Sequence, residues 1–160
     1  MGAAAALGLD FSLIGTLEKA LAGDGVPIIW LNGANCTGCT VSLANLIGGS
    51  SPKDVGELLV TSINLAYHPN LMGAAGNEAV RILQEQTKTN GAFVLAVDGG
   101  IPTAFNGYTC MLYNDPLTGQ EVTAMKAVKD LAACAWFVLA CGTGNRTGGG
   151  AEIPATPLSF

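Results

Sequence analysis

Charged side chains are scarce in this sequence. Asp, Glu, Lys and Arg make up 12% of its 160 residues, whereas roughly 25% is usual for a soluble domain. The charges sum to −5 and form no basic cluster, which argues against a nucleic-acid partner. Hydrophobic residues make up 49% of the chain, so charge cannot cover the surface. Three explanations are open: a membrane segment, a poorly soluble fragment, or a subunit that buries much of its surface against a partner.

Long apolar runs are also missing. The longest, Leu131–Cys141, has 11 residues, well short of the roughly 20 that a membrane-spanning helix needs. We therefore favour a subunit or a fragment over a membrane segment. A length of 160 residues is typical of one domain with a substantial core.

Histidine is nearly absent, and the cysteines are odd in number and irregularly spaced. The chain has one histidine and five cysteines. This pattern does not fit a secreted disulfide framework, and a zinc site would need a second pair of ligands that the sequence lacks. Metal or redox use of some thiols is the remaining expectation. The cysteines are Cys36, Cys39, Cys110, Cys134 and Cys141.

Apolar strands alternate with amphipathic helices along the chain. The predicted strands are Val26–Leu31, Leu59–Tyr67, Ala92–Val97 and Ala135–Ala140. The predicted helices are Thr40–Ile47, Asp54–Leu59, Asn77–Thr89 and Val122–Leu131. This alternation predicts an α/β fold, an open parallel sheet covered by helices on both faces. The stretch with Gly107, Asn114–Pro116 and Gly119 is expected to be a loop.

The most informative stretch is Val26–Asn45, where a buried strand leads through a tight loop into a helix. Cys36 and Cys39 lie at the start of that helix. The free N–H groups and partial positive charge of a helix start favour thiolates, which bind metals or attack disulfides. A metal site, a thioredoxin-like dithiol and two structural cysteines are the alternatives.

Three loops are expected to meet at one edge of the sheet, because ligands of open α/β sheets collect at the carboxyl ends of the strands. The first strand leads to the Cys-x-x-Cys motif. The third leads to Asp98–Pro102 and the fourth to Cys141–Gly144. We therefore expect one site with three thiols and a carboxylate. Cys134 should lie about 20 Å from it, at roughly 3.3 Å per residue of strand.

The other chemically active side chains are expected to have structural roles. Cys134 and Cys110 should pack as small apolar residues. His68 follows the second strand and precedes Pro69, and we expect a hydrogen-bonded loop residue there rather than a ligand.

Three motifs resemble the small subunit of nickel–iron hydrogenases, especially the selenium-containing type. Pro27–Leu43 matches an apolar strand that leads into Gly-x-x-Cys-Thr-Gly-Cys-x-Val-Ser-Leu. Ile63–Pro69 resembles the second strand of that family, and Val97–Thr103 resembles its Val-Glu-Gly-x-Ile-Pro-Thr loop. The resemblance extends over nearly the whole chain.

The resemblance implies a flavodoxin-like domain over residues 25–160 that holds a proximal iron–sulfur cluster, 4Fe–4S or a variant. Cys36 and Cys39 match the first two cluster ligands, and Asp98 takes the place of a glutamate beside the cluster. Gly33 and Thr143 would lie close to it. The implied partners are a large subunit, which carries the nickel–iron centre where hydrogen reacts, and an electron acceptor such as a cytochrome or ferredoxin.

Two further points follow from the resemblance. Residues 1–24 resemble the tail of a twin-arginine export signal, which implies a periplasmic or membrane-associated protein; if Met1 is the true start, the protein would be cytoplasmic. The fourth cluster ligand and the second cluster domain of the family would lie beyond Phe160.

The chain departs from the family at the third cluster ligand. Gly144 stands where the family has a cysteine, and Cys141 lies three residues earlier as a candidate replacement. The leading hypothesis is therefore an electron-transferring hydrogenase subunit without activity of its own. A Cys-x-x-Cys dithiol oxidoreductase and a structural subunit without a cluster are the alternatives.

Overall fold

A four-stranded parallel sheet forms the centre of the structure, a computed structural model that describes residues 27–48, 50–86, 88 and 93–142. The strands along the chain are β1 (Pro27–Asn32), β2 (Asn64–Tyr67), β3 (Val94–Asp98), β4 (Met111–Asn114), β5 (Glu121–Thr123) and β6 (Phe137–Cys141). The parallel sheet has the order β2–β1–β3–β6, and β4 pairs with β5 as an antiparallel hairpin. The chain moves from β1 outward to β2 and then back to β3, so the strand order reverses between β1 and β3. That reversal is the ligand-binding position in flavodoxin-like sheets.

In the described part of the chain, four α-helices connect these strands. They are α1 (Gly38–Ala44), α2 (Val55–Glu57), α3 (Asn77–Gln86) and α4 (Ala124–Ala132). Parallel strands are joined by right-handed crossovers, so connections that move in opposite directions along the sheet place their helices on opposite faces. By this rule α1 and α2 cover one face, and α3 and α4 cover the other. The predicted α/β architecture is confirmed.

The core lies between the sheet and the two helices α3 and α4. Its buried members include Ile29, Leu31, Leu83, Phe93, Leu95, Val97, Val128 and Leu131. Alternate residues of β1 point into this core, because side chains of a strand alternate between its two faces. Each fully buried large apolar side chain stabilises the fold by about 1.5–3 kcal/mol.

The predicted second strand is wrong at its amino end. Residues Leu58–Ser62 form a π-helical turn that continues α2, and β2 begins only at Asn64. The Asp54 side chain caps α2 by accepting a hydrogen bond from the Glu57 N–H at 2.8 Å. A short apolar run is compatible with strand or helix by periodicity alone, and here the cap selects the helix.

The predicted loop after β3 also proves wrong, because it contains a 3-10 turn (Ala104–Gly107) and the β4–β5 hairpin. The Asp115 carboxylate organises the hairpin turn by accepting hydrogen bonds from the N–H groups of Leu117 and Thr118. Thr123 ends β5 and caps α4, so this helix begins at Ala124 instead of Val122. Residues 1–24, which resemble the tail of an export signal, lie outside the described residues.

None of the helices in the described part of the chain is long and apolar enough to cross a membrane.

The carboxyl edge of the sheet is held together by backbone hydrogen bonds between loops. The Gly33 N–H donates to the Asp98 carbonyl and the Ala34 N–H to the Gly100 carbonyl, both at 2.8 Å. The Gly99 N–H donates to the Cys141 carbonyl at 3.1 Å. Gly99 has a φ of +85°, and a Cβ there would lie 2.5 Å from the Asn35 Cβ. Only glycine fits this crossing of loops without strain.

We expect Gly99→Ala to lower the free energy of unfolding by about 3 kcal/mol, because it combines an unfavourable left-handed conformation with overpacking. Gly73→Ala is the matched control, since a Cβ at Gly73 meets nothing within 4 Å, and it should change stability by less than about 0.5 kcal/mol. Urea denaturation of both variants measures the difference. Equal stabilities would contradict the tight loop crossing.

Candidate functional site

The chain changes direction between the two thiols of the Cys-x-x-Cys motif. Cys36 is exposed in the loop after β1, whereas Cys39 lies in the first turn of α1 and is partly buried. Thr37 between them adopts a left-handed conformation, with φ 59°, and its hydroxyl donates to the Cys36 carbonyl at 2.6 Å instead of capping α1. Positive φ is rare for a β-branched residue. Such strain is concentrated at functional sites.

Cys39 lies beside the carboxylate of Asp98, which is 2% exposed. A hydrogen bond from the thiol to Asp98, followed by burial and by the nearby negative charges, raises the pKa of Cys39 from 9.0 to about 11. Cys141 and Cys36 are among those neighbouring charges. The structure therefore brings both motif cysteines, the carboxylate and the thiol of Cys141 into one electrostatically coupled group.

The expectation that the helix start makes both thiols acidic is wrong for Cys39. The helix has only seven residues and no side-chain cap, so its partial charge is a weak influence beside a hydrogen-bonded carboxylate. A thiol with a pKa near 11 is largely protonated at neutral pH and is a poor nucleophile there. A metal bound to the sulfur would instead displace the proton.

Cys141 reaches the site through the register of the sheet. Asp98 pairs with Asn32 on one side and with Cys141 on the other, so the three residues end their strands at the same level. Burial raises the pKa of Cys141, and the charge of Asp98 raises it further. Gly142 follows with a φ of +88°, and a Cβ there would lie 3.4 Å from the Asp98 Oδ1.

The thiols and the carboxylate of the site are not arranged around a single metal ion. Among residues 27–48, 50–86, 88 and 93–142, no three His, Cys, Asp or Glu side chains are placed as ligands of a single ion. The three thiols on adjacent loops are the ligand type of an iron–sulfur cluster, and the buried Oδ2 of Asp98 has no hydrogen-bond partner among the described residues. An orphaned buried oxygen is typical of a site that accommodates a further group. The described donors thus fit part of a cluster site.

The other residues named from the sequence are placed as follows. Gly33 continues β1 into the site, and a Cβ there would lie 2.5 Å from the Gly100 carbonyl oxygen. Thr143 and Gly144 lie outside the described residues. Cys110 and Cys134 are partly buried and pack against the hydrophobic core, in agreement with their expected structural roles.

His68 has a more specific position than the sequence indicates. It is fully buried, its Nδ1 accepts a hydrogen bond from the Asn70 N–H at 3.1 Å, and its Nε2 lies 3.4 Å from the Thr40 hydroxyl. The ring centroid lies 5.2 Å from that of Trp30. Burial lowers the pKa of His68. The only sequence signal for this role is a single histidine at the carboxyl end of a strand.

Comparisons with known proteins agree on a family. The model of the family described as NADH ubiquinone oxidoreductase, 20 Kd subunit, matches residues 36–157. The periplasmic nickel–iron–selenium hydrogenase small subunit of Desulfomicrobium baculatum is 39% identical over 134 residues, which are 81% of this chain and 40% of that protein. The Hydrogenase-2 small chain of Escherichia coli K12 is 33% identical over 137 residues, 82% of this chain and 32% of that protein.

A solved structure gives the same result. The reduced, active nickel–iron–selenium hydrogenase of Desulfomicrobium baculatum matches with a TM-score of 0.70 and 38% identity, covering 82% of this chain and 46% of that chain. The chain therefore spans less than half the length of these relatives. Hydrogenase small subunits generally carry iron–sulfur clusters and pair with a large subunit.

We expect Asp98→Asn to lower the pKa of the Cys39 thiol from about 11 towards the ordinary value for cysteine, because the substitution removes the negative charge beside the sulfur. The pH dependence of Cys39 alkylation in the metal-free chain, followed by peptide mass spectrometry, measures the change. Asp130→Asn is the control, since Asp130 is an exposed partner of Lys126. An unchanged alkylation profile in Asp98→Asn would rule out the coupling.

Proposed function

Because the chain belongs to the NADH ubiquinone oxidoreductase 20 Kd subunit family, and within it to the hydrogenase small subunits, we propose that it transfers electrons in a nickel–iron hydrogenase. Electrons from the hydrogen-reacting centre of a large subunit would pass through a proximal iron–sulfur cluster in this chain to an acceptor such as a cytochrome or ferredoxin. The meeting of Cys36, Cys39, Cys141 and Asp98 at the strand reversal supports the proposal most directly.

Three thiols of the chain would hold the cluster. Cys36 and Cys39 are the first two ligands, and Cys141 is the third, in place of the cysteine that the family has at Gly144. Gly33 and Thr143 would line the site. When bound, the cluster supplies one-electron transfer.

Asp98 has a defined part in loading the site. The Cys39 thiol must lose its proton before the sulfur can bind iron, and the neighbouring Asp98 carboxylate opposes that loss because it raises the pKa of Cys39. The carboxylate then adds negative charge beside the thiolates. Net charge and hydrogen bonding at the sulfurs are among the factors that set a cluster's potential.

A large subunit would cover the apolar surface of the chain. Several large apolar side chains are exposed, among them Val41, Ile47, Val60, Leu71, Phe105, Tyr108 and Leu139. Val41 follows Cys39 by two residues, which places it next to the site. Exposed apolar side chains next to the site are the kind of surface that a protein partner covers.

Phe105 is the strongest candidate anchor for that partner. It is 83% exposed and has a φ of 51°, a strained conformation for an aromatic residue. Two residues later, a Cβ at Gly107 would lie 3.0 Å from the Met125 Cβ, so this turn packs on the first turn of α4. The last turn of α4 leads into the amino end of β6, so α4 runs antiparallel to the strands. Its first turn therefore lies at the carboxyl edge of the sheet, which is the edge that carries the site.

The likeness to hydrogenase small subunits also supports a domain assignment and a cellular compartment. Residues 25–160 would form the proximal-cluster domain, and residues 1–24 would be the tail of an export signal that leads to the periplasm or its membrane. The nickel–iron centre would belong to the large subunit alone.

We expect Cys36→Ser to lower the iron and acid-labile sulfide content of the purified complex and to reduce hydrogen-dependent dye reduction by at least about tenfold, because a cluster ligand is lost. Cys134→Ala is the matched control and should keep both properties. Metal analysis and activity assays on the complex measure the result. If Cys36→Ser behaves like the control, the chain is a structural subunit without a cluster.

We expect Phe105→Asp to weaken association with the large subunit by about tenfold or more, since it places a charge on an aromatic anchor of the interface. Leu117→Asp is the control, because Leu117 is similarly exposed, at 86%, but lies in a hairpin turn tied to Gln84 near the end of α3. Co-purification and a dissociation constant measure both variants. Equal affinities would place the interface elsewhere.

A further inference from the structure

The helix that carries Cys39 has few contacts of its own. α1 has seven residues, and Thr37 at its start provides no side-chain cap. Neither terminal turn carries a residue whose charge complements the helix dipole. Helices this short are marginal without tertiary contacts. The position of α1 therefore depends on the side chains that it buries.

Thr40 is the single buried residue of α1, and it follows Cys39 directly. Its partner is His68, whose Nε2 lies 3.4 Å from the Thr40 hydroxyl. Nδ1 of His68 accepts the Asn70 N–H, so the proton of the neutral ring is on Nε2. The Nε2–H thus donates to Thr40, in a long hydrogen bond that is shielded from water.

The position of His68 is fixed by a ring contact, a hydrogen bond and full burial. Its ring lies against the indole of Trp30 in β1, its Nδ1 is fixed by the backbone after β2, and it is completely buried. A side chain fixed in this way can hold α1 at one distance from the sheet. The same distance decides whether the Cys39 sulfur reaches Asp98, which belongs to β3.

We propose that His68 is a positioning residue for Cys39, acting through the Thr40 hydroxyl. It fixes α1 against β1 and β2, so that the Cys39 sulfur stays beside Asp98 and at the place where the cluster would bind. The part concerning the cluster rests on the proposed function; the placement of the thiol does not.

The test compares Thr40→Val, which removes the hydroxyl at nearly constant shape, with Thr40→Ser, which keeps it. In the full chain without metal, competitive alkylation of all five cysteines is followed by mass spectrometry. In Thr40→Val we expect Cys39 to be alkylated about two- to tenfold faster than in the parent chain. This change in rate corresponds to the free energy of one lost hydrogen bond. Thr40→Ser should react like the parent chain. His68→Gln, whose amide can still donate, should lie between the two.

Internal controls separate positioning from general loosening. Cys36 is exposed and should keep its rate, and Cys110 and Cys134, which pack on the core, should stay protected. Faster labelling of all partly buried cysteines in Thr40→Val would overturn the proposal, because it would indicate lost stability alone. An unchanged Cys39 rate would also overturn it. Thr61→Val removes an exposed hydroxyl that bonds to the Glu57 carbonyl and should have no effect.

A second measurement uses the complex with its cluster. The midpoint potential of the iron–sulfur signal, from a redox titration followed by electron paramagnetic resonance, should shift in Thr40→Val and return to the parent value in Thr40→Ser. An unshifted potential would overturn the part that concerns the cluster. Absence of iron from the parent complex would contradict the proposed function, whereas the alkylation result would still decide the placement of Cys39.

Discussion

The register of β3 between β1 and β6 is the constraint on which the site depends. Asn32, Asp98 and Cys141 pair across three parallel strands, so the loops after these strands start at one level. The loops then cross closely enough to exchange backbone hydrogen bonds, and Gly99 is required at the crossing. A slip of one residue in β3 would move Asp98 to the opposite face of the sheet. The thiols would then have no carboxylate beside them.

A buried carboxylate dominates the electrostatics of the site. Asp98 is almost completely buried, and one of its oxygens lacks a hydrogen-bond partner among the described residues. Burying a carboxylate without compensation is unfavourable, and its charge makes Cys39 harder to ionise. Iron that binds there must displace the thiol protons against the negative charge of this carboxylate.

The two faces of the sheet differ in how firmly their helices are held. α3 and α4 contribute buried leucines and valines to the core, whereas α1 buries only Thr40. Exposed apolar residues such as Val41 lie on the weakly held side. A partner that covers this surface would supply the missing contacts, which agrees with a chain that contains little charge.

The sequence by itself determined the α/β class, the strand–loop–helix around Cys36 and Cys39, and the three loops that meet at the site. Those features follow from local periodicity and from the rule that carboxyl ends of parallel strands share an edge. It did not determine the β4–β5 hairpin or the helical turn at Leu58–Ser62, because short apolar runs fit more than one structure. Only the tertiary structure decided that Asp98 raises the pKa of Cys39 and that His68 meets Thr40. These contacts join residues far apart in the chain, and their effects depend on distances and burial that no local pattern specifies.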